Sequence, residues 1–211
     1  MGVNASGIGW DADVKMLLEH AERLFAQGQE IVLAGHSYGG IPACVATRVN
    51  SVAERAERGL SGGFRHIVFI AAFAMPFAGV SLLGLMPGGQ CPDWQQVIES
   101  DGLKQVVVNE KSKALMYNDL SPEKAQELFD ALVPQSHAAQ TQPVDFASPD
   151  IKIPKTYIVC EDDLAFPTAS QRDLSTGPDF NQVSVSGGHS AFCSIPDELA
   201  DALVKIAGNG E

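Results

Sequence analysis

The 211 residues suit one domain, with enough chain to bury a sizeable core. A formal net charge of −12 at pH 7 argues against nucleic acid and anionic membrane surfaces as partners. No run of residues approaches the roughly 18 apolar positions of a membrane span, and we expect no secretory signal. The four cysteines form no C-x-x-C pair, which disfavours a zinc or redox motif, and we expect a reducing, cytoplasmic location.

Helix and strand patterns alternate over the first 74 residues. Apolar residues at helical spacing predict an amphipathic helix over 11–27. A short buried strand is predicted over 31–35, a helix follows to about Arg58, and 66–71 predicts a second buried strand. This α-β-α-β order implies a parallel sheet with right-handed crossovers.

A G-x-S-x-G pattern, Gly35-His36-Ser37-Tyr38-Gly39, follows the first strand and opens the next helix. Strand, tight turn and helix are the context of a nucleophile elbow, in which the serine sits in strained backbone. We expect a Cβ at Gly35 or Gly39 to crowd this turn. The Tyr38 backbone N–H then points toward an oxyanion formed at Ser37. His36 either touches substrate or packs at the elbow.

Residues 75–154 break the alternation, and we interpret them as a lid inserted between two core segments, 1–74 and 155–211, of one domain. Weak helical patterns occur near 93–99 and 110–117, and a clearer helix begins at Pro122. The apolar lid side chains either line a pocket or form the lid's own core; they are Met86, Trp94, Met116, Tyr117 and Phe129.

The sheet pattern returns after the lid. A third strand is predicted over 156–160, a helix from Pro167, and a fourth strand over 181–186. An amphipathic helix beginning at Pro196 ends the pattern.

Three kinds of polar side chain follow the carboxyl ends of these strands: Ser37, the pair Asp162 and Asp163, and His189. Sites in open parallel sheets form at those ends. A serine needs a base to take its proton, and a carboxylate holds the imidazole in the correct tautomer. We favour Asp163 over Asp162 as this carboxylate, because it lies nearer the helix start and a one-residue shift redirects a side chain.

These motifs resemble the α/β-hydrolase superfamily, in particular its small lidded esterases and its hydroxynitrile lyase and plant methylesterase branch. The matching stretches lie at 32–40, 69–76, 117–119, 157–163 and 187–189. The resemblance implies an α/β fold, with helices on both faces of a parallel sheet and a helical lid. It implies a Ser37, Asp163 and His189 triad, an oxyanion amide at Tyr38, and substrate contacts that include Phe73 and Tyr117. It requires no metal and no organic cofactor.

The resemblance also implies further strands before the first helix, so residues 2–10 look like the connection left behind. These strands would carry a second oxyanion N–H in a His-Gly loop. Without them the sheet is shortened, and strand 31–35 has a bare edge at which a homodimer can form.

Three functions remain open at this point. The first is hydrolysis of an ester or lactone of a small, fairly apolar molecule through an acyl-enzyme on Ser37. The second is carbon–carbon lyase chemistry with the same triad, helped by a lid lysine among Lys104, Lys111 and Lys113. The third is a ligand-binding hydrolase fold without catalysis.

Overall fold

The computed structural model describes residues 7–177 and 179–208, with all of their side chains except that of Ser100. The helices and strands are, in chain order, α1 (Trp10–Phe25), β1 (Glu30–His36), α2 (Gly40–Ala46), α3 (Val52–Glu57), β2 (Gly63–Ile70), α4 (Leu82–Leu85), β3 (Gln95–Ser100), β4 (Leu103–Val108), α5 (Lys111–Met116), α6 (Pro122–Asp130), β5 (Gln135–Ser136), α7 (His137–Thr141), β6 (Lys155–Cys160), α8 (Thr168–Leu174), β7 (Phe180–Val185), α9 (Ala191–Ser194) and α10 (Pro196–Gly208).

The central sheet has four strands in the order β1-β2-β6-β7, and all three pairings are parallel, as predicted. Within the described part of the chain, β1 pairs with β2 alone and is therefore an edge strand. A homodimer through this edge stays a prediction. The connection predicted over residues 2–10 lies largely outside the described residues, and α1 begins at Trp10.

Helices cover both faces of the sheet because neighbouring residues of a strand point to opposite faces. On β2, Ile67 and Phe69 pack with α1 and α2 in one apolar cluster. Val68 and Ile70 face the other way and pack with Leu199 and other residues of α10. The central strands are therefore buried on both sides: β6 is buried throughout, and so is β2 from Ile67 to Ile70. β1 and β7, at the two ends of the strand order, are only partly buried.

The helix predicted from the elbow to about Arg58 is two shorter helices. α2 ends at Ala46, and α3 begins only at Val52. Ser51 caps α3: its hydroxyl accepts from the backbone N–H of Glu54, whose carboxylate accepts from Ser51 in return. This capping box is a sequence signal for a new helix start.

The lid contains the predicted helices α5 and α6 together with an antiparallel sheet of order β3-β4-β5. The helix predicted near 93–99 is wrong, since that segment forms β3 and pairs with β4. Asp101 and Gly102 connect the two strands, with φ values of 53° and 75°. An Asp-Gly pair with positive φ at both residues forms the tight turn that favours a hairpin, and here it outweighs the weak helical periodicity.

An apolar cluster joins the lid to the core below it. Trp10 of α1 and Ile41 of α2 pack with Met75, Leu82 and Val144 of the lid, and all five are buried. The Trp10 indole N–H also donates to the Gln142 carbonyl at 3.2 Å. These contacts hold the lid over the carboxyl ends of the sheet strands. Each helix in the described ranges is too short or too polar to cross a lipid bilayer.

Candidate active site

Ser37 lies directly after β1, at the start of a single 3₁₀ turn over Ser37–Gly39 that leads into α2. Its φ is +52°, in the left-handed region that residues other than glycine rarely adopt. Such strain is typical of a functional position held by its surroundings. The geometry agrees with the strained elbow that the G-x-S-x-G pattern predicts.

Close packing around the turn explains two of its glycines. A Cβ on Gly35 would lie 2.7 Å from the Gly39 carbonyl oxygen, as the sequence analysis expects. The same expectation for Gly39 is wrong, because a Cβ there would meet no atom within 4 Å. The second constrained position is Gly40, where a Cβ would lie 3.0 Å from the Cβ of Ala72 and from the carbonyl oxygen of Phe73.

Asp163 follows β6 and is 4% exposed. One carboxylate oxygen accepts from the backbone N–H groups of Ala165 and Phe166, both at 2.8 Å. The other accepts from the Gln171 amide at 3.0 Å. Three donors thus fix the carboxylate. The neighbouring Asp162 is exposed.

His189 connects this carboxylate to Ser37. Its Nδ1 lies 2.8 Å from Oδ2 of Asp163, and its Nε2 lies 3.1 Å from Oγ of Ser37. Since the carboxylate can only accept, Nδ1 carries the proton and Nε2 is free to accept from the serine hydroxyl. His189 is 5% exposed, so water competes little for these contacts. The three residues form the hydrogen-bond chain that nucleophilic serine chemistry requires.

A cavity of about 600 Å³ lies above Ser37 and His189, between the sheet and the lid. Tyr38 and Phe73 line it beside Ser37, and the Phe73 ring stacks on Phe166 with centroids 4.6 Å apart. Much of the remaining wall is apolar and comes from the lid and from α8: Leu82, Leu85, Met86, Trp94, Val106, Val108, Met116 and Leu174. No lysine or arginine lies among the residues described as lining it. Across 7–177 and 179–208, no group of three or more His, Cys, Asp or Glu side chains is arranged to hold a metal ion.

Comparison with known proteins identifies the family. The model of the alpha/beta hydrolase family matches residues 4–202. The chain belongs to the alpha/beta hydrolase family.

This hydrolase is similar to two fungal proteins over nearly its whole length. It is 27% identical to the alpha/beta hydrolase nvfD of Aspergillus novofumigatus, covering 94% of this chain and 78% of that protein. It is 29% identical to the probable hydrolase R7 of a Phoma species, covering 99% of this chain and 82% of that protein. A solved pyrethroid hydrolase from Sphingobium faniae shares the fold, with a TM-score of 0.72 at 21% identity, over 98% of this chain and 81% of that one.

Two of the predicted substrate contacts lie elsewhere. His36 does not line the cavity; its Nε2–H donates to the His189 carbonyl at 2.8 Å, from behind the base. Burial, followed by the proximity of His189, lowers the pKa of His36 to about 4, so its ring is neutral at pH 7. Tyr117 is also absent from the cavity wall, because it is buried at the end of α5 beside Cys193.

Tyr38 does line the cavity, and its hydroxyl is hydrogen-bonded to α1. The Tyr38 hydroxyl donates to the Asp13 carboxylate of α1 at 2.5 Å. Burial first, and this hydrogen bond second, raise the pKa of Tyr38 above its usual range, so the hydroxyl stays protonated. The contact ties the residue after Ser37 to α1.

Two lid residues, Asn118 and Asp119, contact the loops that carry Asp163 and His189. The Asn118 amide donates to the Asp162 carbonyl at 2.9 Å. The Asp119 carboxylate accepts from the Gly188 backbone N–H at 2.6 Å. A Cβ on Gly188 would lie 2.5 Å from Oδ1 of Asn118, so a larger residue there would displace the side chains that make these contacts. Both residues belong to the stretch 117–119 that carries part of the family resemblance, but the resemblance assigned a role only to Tyr117.

Proposed function

We propose that this hydrolase cleaves a carboxylic ester or lactone of a small, fairly apolar molecule through an acyl-enzyme on Ser37. One observation carries the proposal. The Ser37 hydroxyl lies 3.1 Å from a buried imidazole whose other nitrogen is paired with a buried carboxylate, at the floor of an apolar cavity.

The first half-reaction transfers the acyl group to the protein. Ser37 Oγ attacks the ester carbonyl carbon while Nε2 of His189 takes the hydroxyl proton. The carbonyl oxygen becomes negative, and the Tyr38 backbone N–H donates to it. The carbon–oxygen bond to the alcohol then breaks, and His189 returns the proton to the leaving alkoxide. Asp163 stabilises the imidazolium throughout.

The second half-reaction releases the acid. Water attacks the acyl-enzyme carbonyl, with His189 again taking a proton, and the carbon–oxygen bond to Ser37 breaks. His189 then gives the proton back to Ser37, which restores the starting state. No step needs a metal or an organic cofactor.

Two features support a neutral, apolar substrate. The cavity wall described above offers aromatic and aliphatic side chains but no lysine or arginine to neutralise an anion. The protein itself carries a formal charge of −12, which repels anions at a distance. The lid lysines of the lyase alternative, Lys104, Lys111 and Lys113, are not among the residues that line the cavity. Lys111 pairs with Asp93, and Lys113 pairs with Glu110 and donates to Gln126.

Product analysis tests this function. Incubation with p-nitrophenyl octanoate should release p-nitrophenol and octanoic acid, with faster turnover than for the anionic ester mono-p-nitrophenyl succinate. Mandelonitrile serves as the lyase substrate, and no benzaldehyde above the buffer rate is expected from it. Enzymatic cleavage of mandelonitrile without ester hydrolysis would replace the esterase proposal by the lyase, and activity toward neither would favour a binding protein.

A further inference from the structure

One face of the lid sheet forms part of the cavity wall. Val106 and Val108 of β4 both line the cavity, two residues apart on the same face of the strand. Their cross-strand partners are Gln135 on β5 and Gln95 on β3. Residues directly opposite each other share a face, and both glutamines line the cavity. The lid side of the cavity therefore carries two valines of β4 with a glutamine amide on each side of that strand.

The amides of this face are only partly satisfied within the protein. The buried Gln140, 2% exposed, donates its amide N–H to Oε1 of Gln135 at 2.9 Å. This contact orients the Gln135 amide and occupies its oxygen. In residues 7–177 and 179–208, the NH₂ group of Gln135 and the side chain of Gln95 have no hydrogen-bond partner. Both side chains are partly exposed, so an oxygen of a bound molecule can replace water at their free groups.

We propose that Gln95 and Gln135 form a polar subsite that binds a second, uncharged oxygen function of the substrate, such as a ketone or a hydroxyl, away from the scissile carbonyl. This inference rests on the proposed function and narrows its substrate class. The NH₂ group of Gln135 donates to the oxygen, and Gln95 can donate or accept. A carboxylate does not suit the subsite, because the cavity wall includes the acidic residue Asp173 and no lysine or arginine.

A series of matched substrates tests the subsite. The substrates are p-nitrophenyl octanoate and its 5-, 6- and 7-oxo derivatives, compared by kcat/KM. We expect the wild-type protein to prefer at least one oxo ester over octanoate. Gln95→Met and Gln135→Met should each reduce that preference by about three- to tenfold, the value of one neutral hydrogen bond. The main change should be a higher KM for the oxo ester.

Neighbouring glutamines provide matched controls. Gln96 of β3 and Gln105 of β4 lie one residue from a cavity-facing position, point to the opposite face and do not line the cavity. Gln96→Met and Gln105→Met remove the same amide from the same sheet and should leave the preference unchanged. The subsite would be overturned if all four variants kept the same preference for the oxo ester, or if the two controls lost it as much as Gln95→Met and Gln135→Met.

A binding measurement separates this inference from the proposed function. Trp94 lines the cavity, so its fluorescence reports binding without turnover. In a Ser37→Ala background, methyl 5-, 6- and 7-oxooctanoate are titrated against methyl octanoate. Tighter binding of an oxo ester that is lost with Gln135→Met supports the subsite even if no ester is hydrolysed. Equal binding of all four esters contradicts the subsite even if Ser37 is a working nucleophile.

Discussion

Ser37→Ala will lower kcat for p-nitrophenyl octanoate by about 10⁴- to 10⁶-fold, the range expected when a serine nucleophile is removed. The hydroxyl's contact with Nε2 of His189 is the hydrogen bond described for this side chain, so little else is lost. The fold should persist, because alanine at φ +52° is no more strained than serine. Steady-state rates and a thermal melt of both proteins measure the two effects.

Ser184→Ala is the matched control for this substitution. Ser184 is exposed on β7 and hydrogen-bonds to Glu161, away from the cavity. Its removal should leave kcat within about twofold, as for most exposed positions. A Ser37→Ala protein that keeps a tenth of the wild-type rate would show that the hydroxyl of residue 37 is not the nucleophile.

Asp163→Asn will lower kcat by about 10⁴-fold, whereas Asp162→Asn will change it by less than about threefold. Asparagine presents one oxygen and one NH₂ group where Asp163 presents two acceptors. If the NH₂ group faces His189, the imidazole must accept at Nδ1 and carry its proton at Nε2, the wrong tautomer for activating Ser37. Asp162 contributes its backbone carbonyl to Asn118, which the substitution leaves intact.

The same pair of variants separates a chemical role from a structural one. Asp163 also accepts from Ala165, Phe166 and Gln171, so its variant should lose stability by about 1–3 kcal/mol. Urea unfolding measures this loss, and assays are run well below the transition. Comparable kcat losses in both variants, or a larger loss in Asp162→Asn, would contradict the assignment of the acid.

The features that the sequence predicts well are those encoded locally. Strands β1, β2 and β6 contain short apolar runs, and β7 alternates apolar with polar residues. Ser37 follows β1 directly, and Asp163 and His189 lie three and four residues after the ends of β6 and β7. Parallel strands bring their carboxyl ends to one edge, so Ser37, Asp163 and His189 meet although 126 and 26 positions separate them along the chain. The order of the four core strands and this convergence follow from the pattern alone.

The features that the sequence does not predict depend on contacts between distant segments. His36 and Tyr117 are close to the site in sequence, but neither lines the cavity. Packing instead places the His36 ring against the backbone of His189, to whose carbonyl it donates. Asn118 and Asp119 have their role only because the lid folds onto the loops after β6 and β7. The hairpin of β3 and β4 is the exception: it was not predicted, although the Asp-Gly turn at Asp101 is a local signal for it.

Active-site labelling tests whether Ser37 is an activated nucleophile. The folded protein is treated with a fluorophosphonate, and the adduct is located by peptide mass spectrometry. We expect one adduct, on the peptide that contains Ser37, absent from Ser37→Ala and formed much more slowly in Asp163→Asn. A folded protein that stays unlabelled, or that carries its adduct on a different serine, would contradict this expectation.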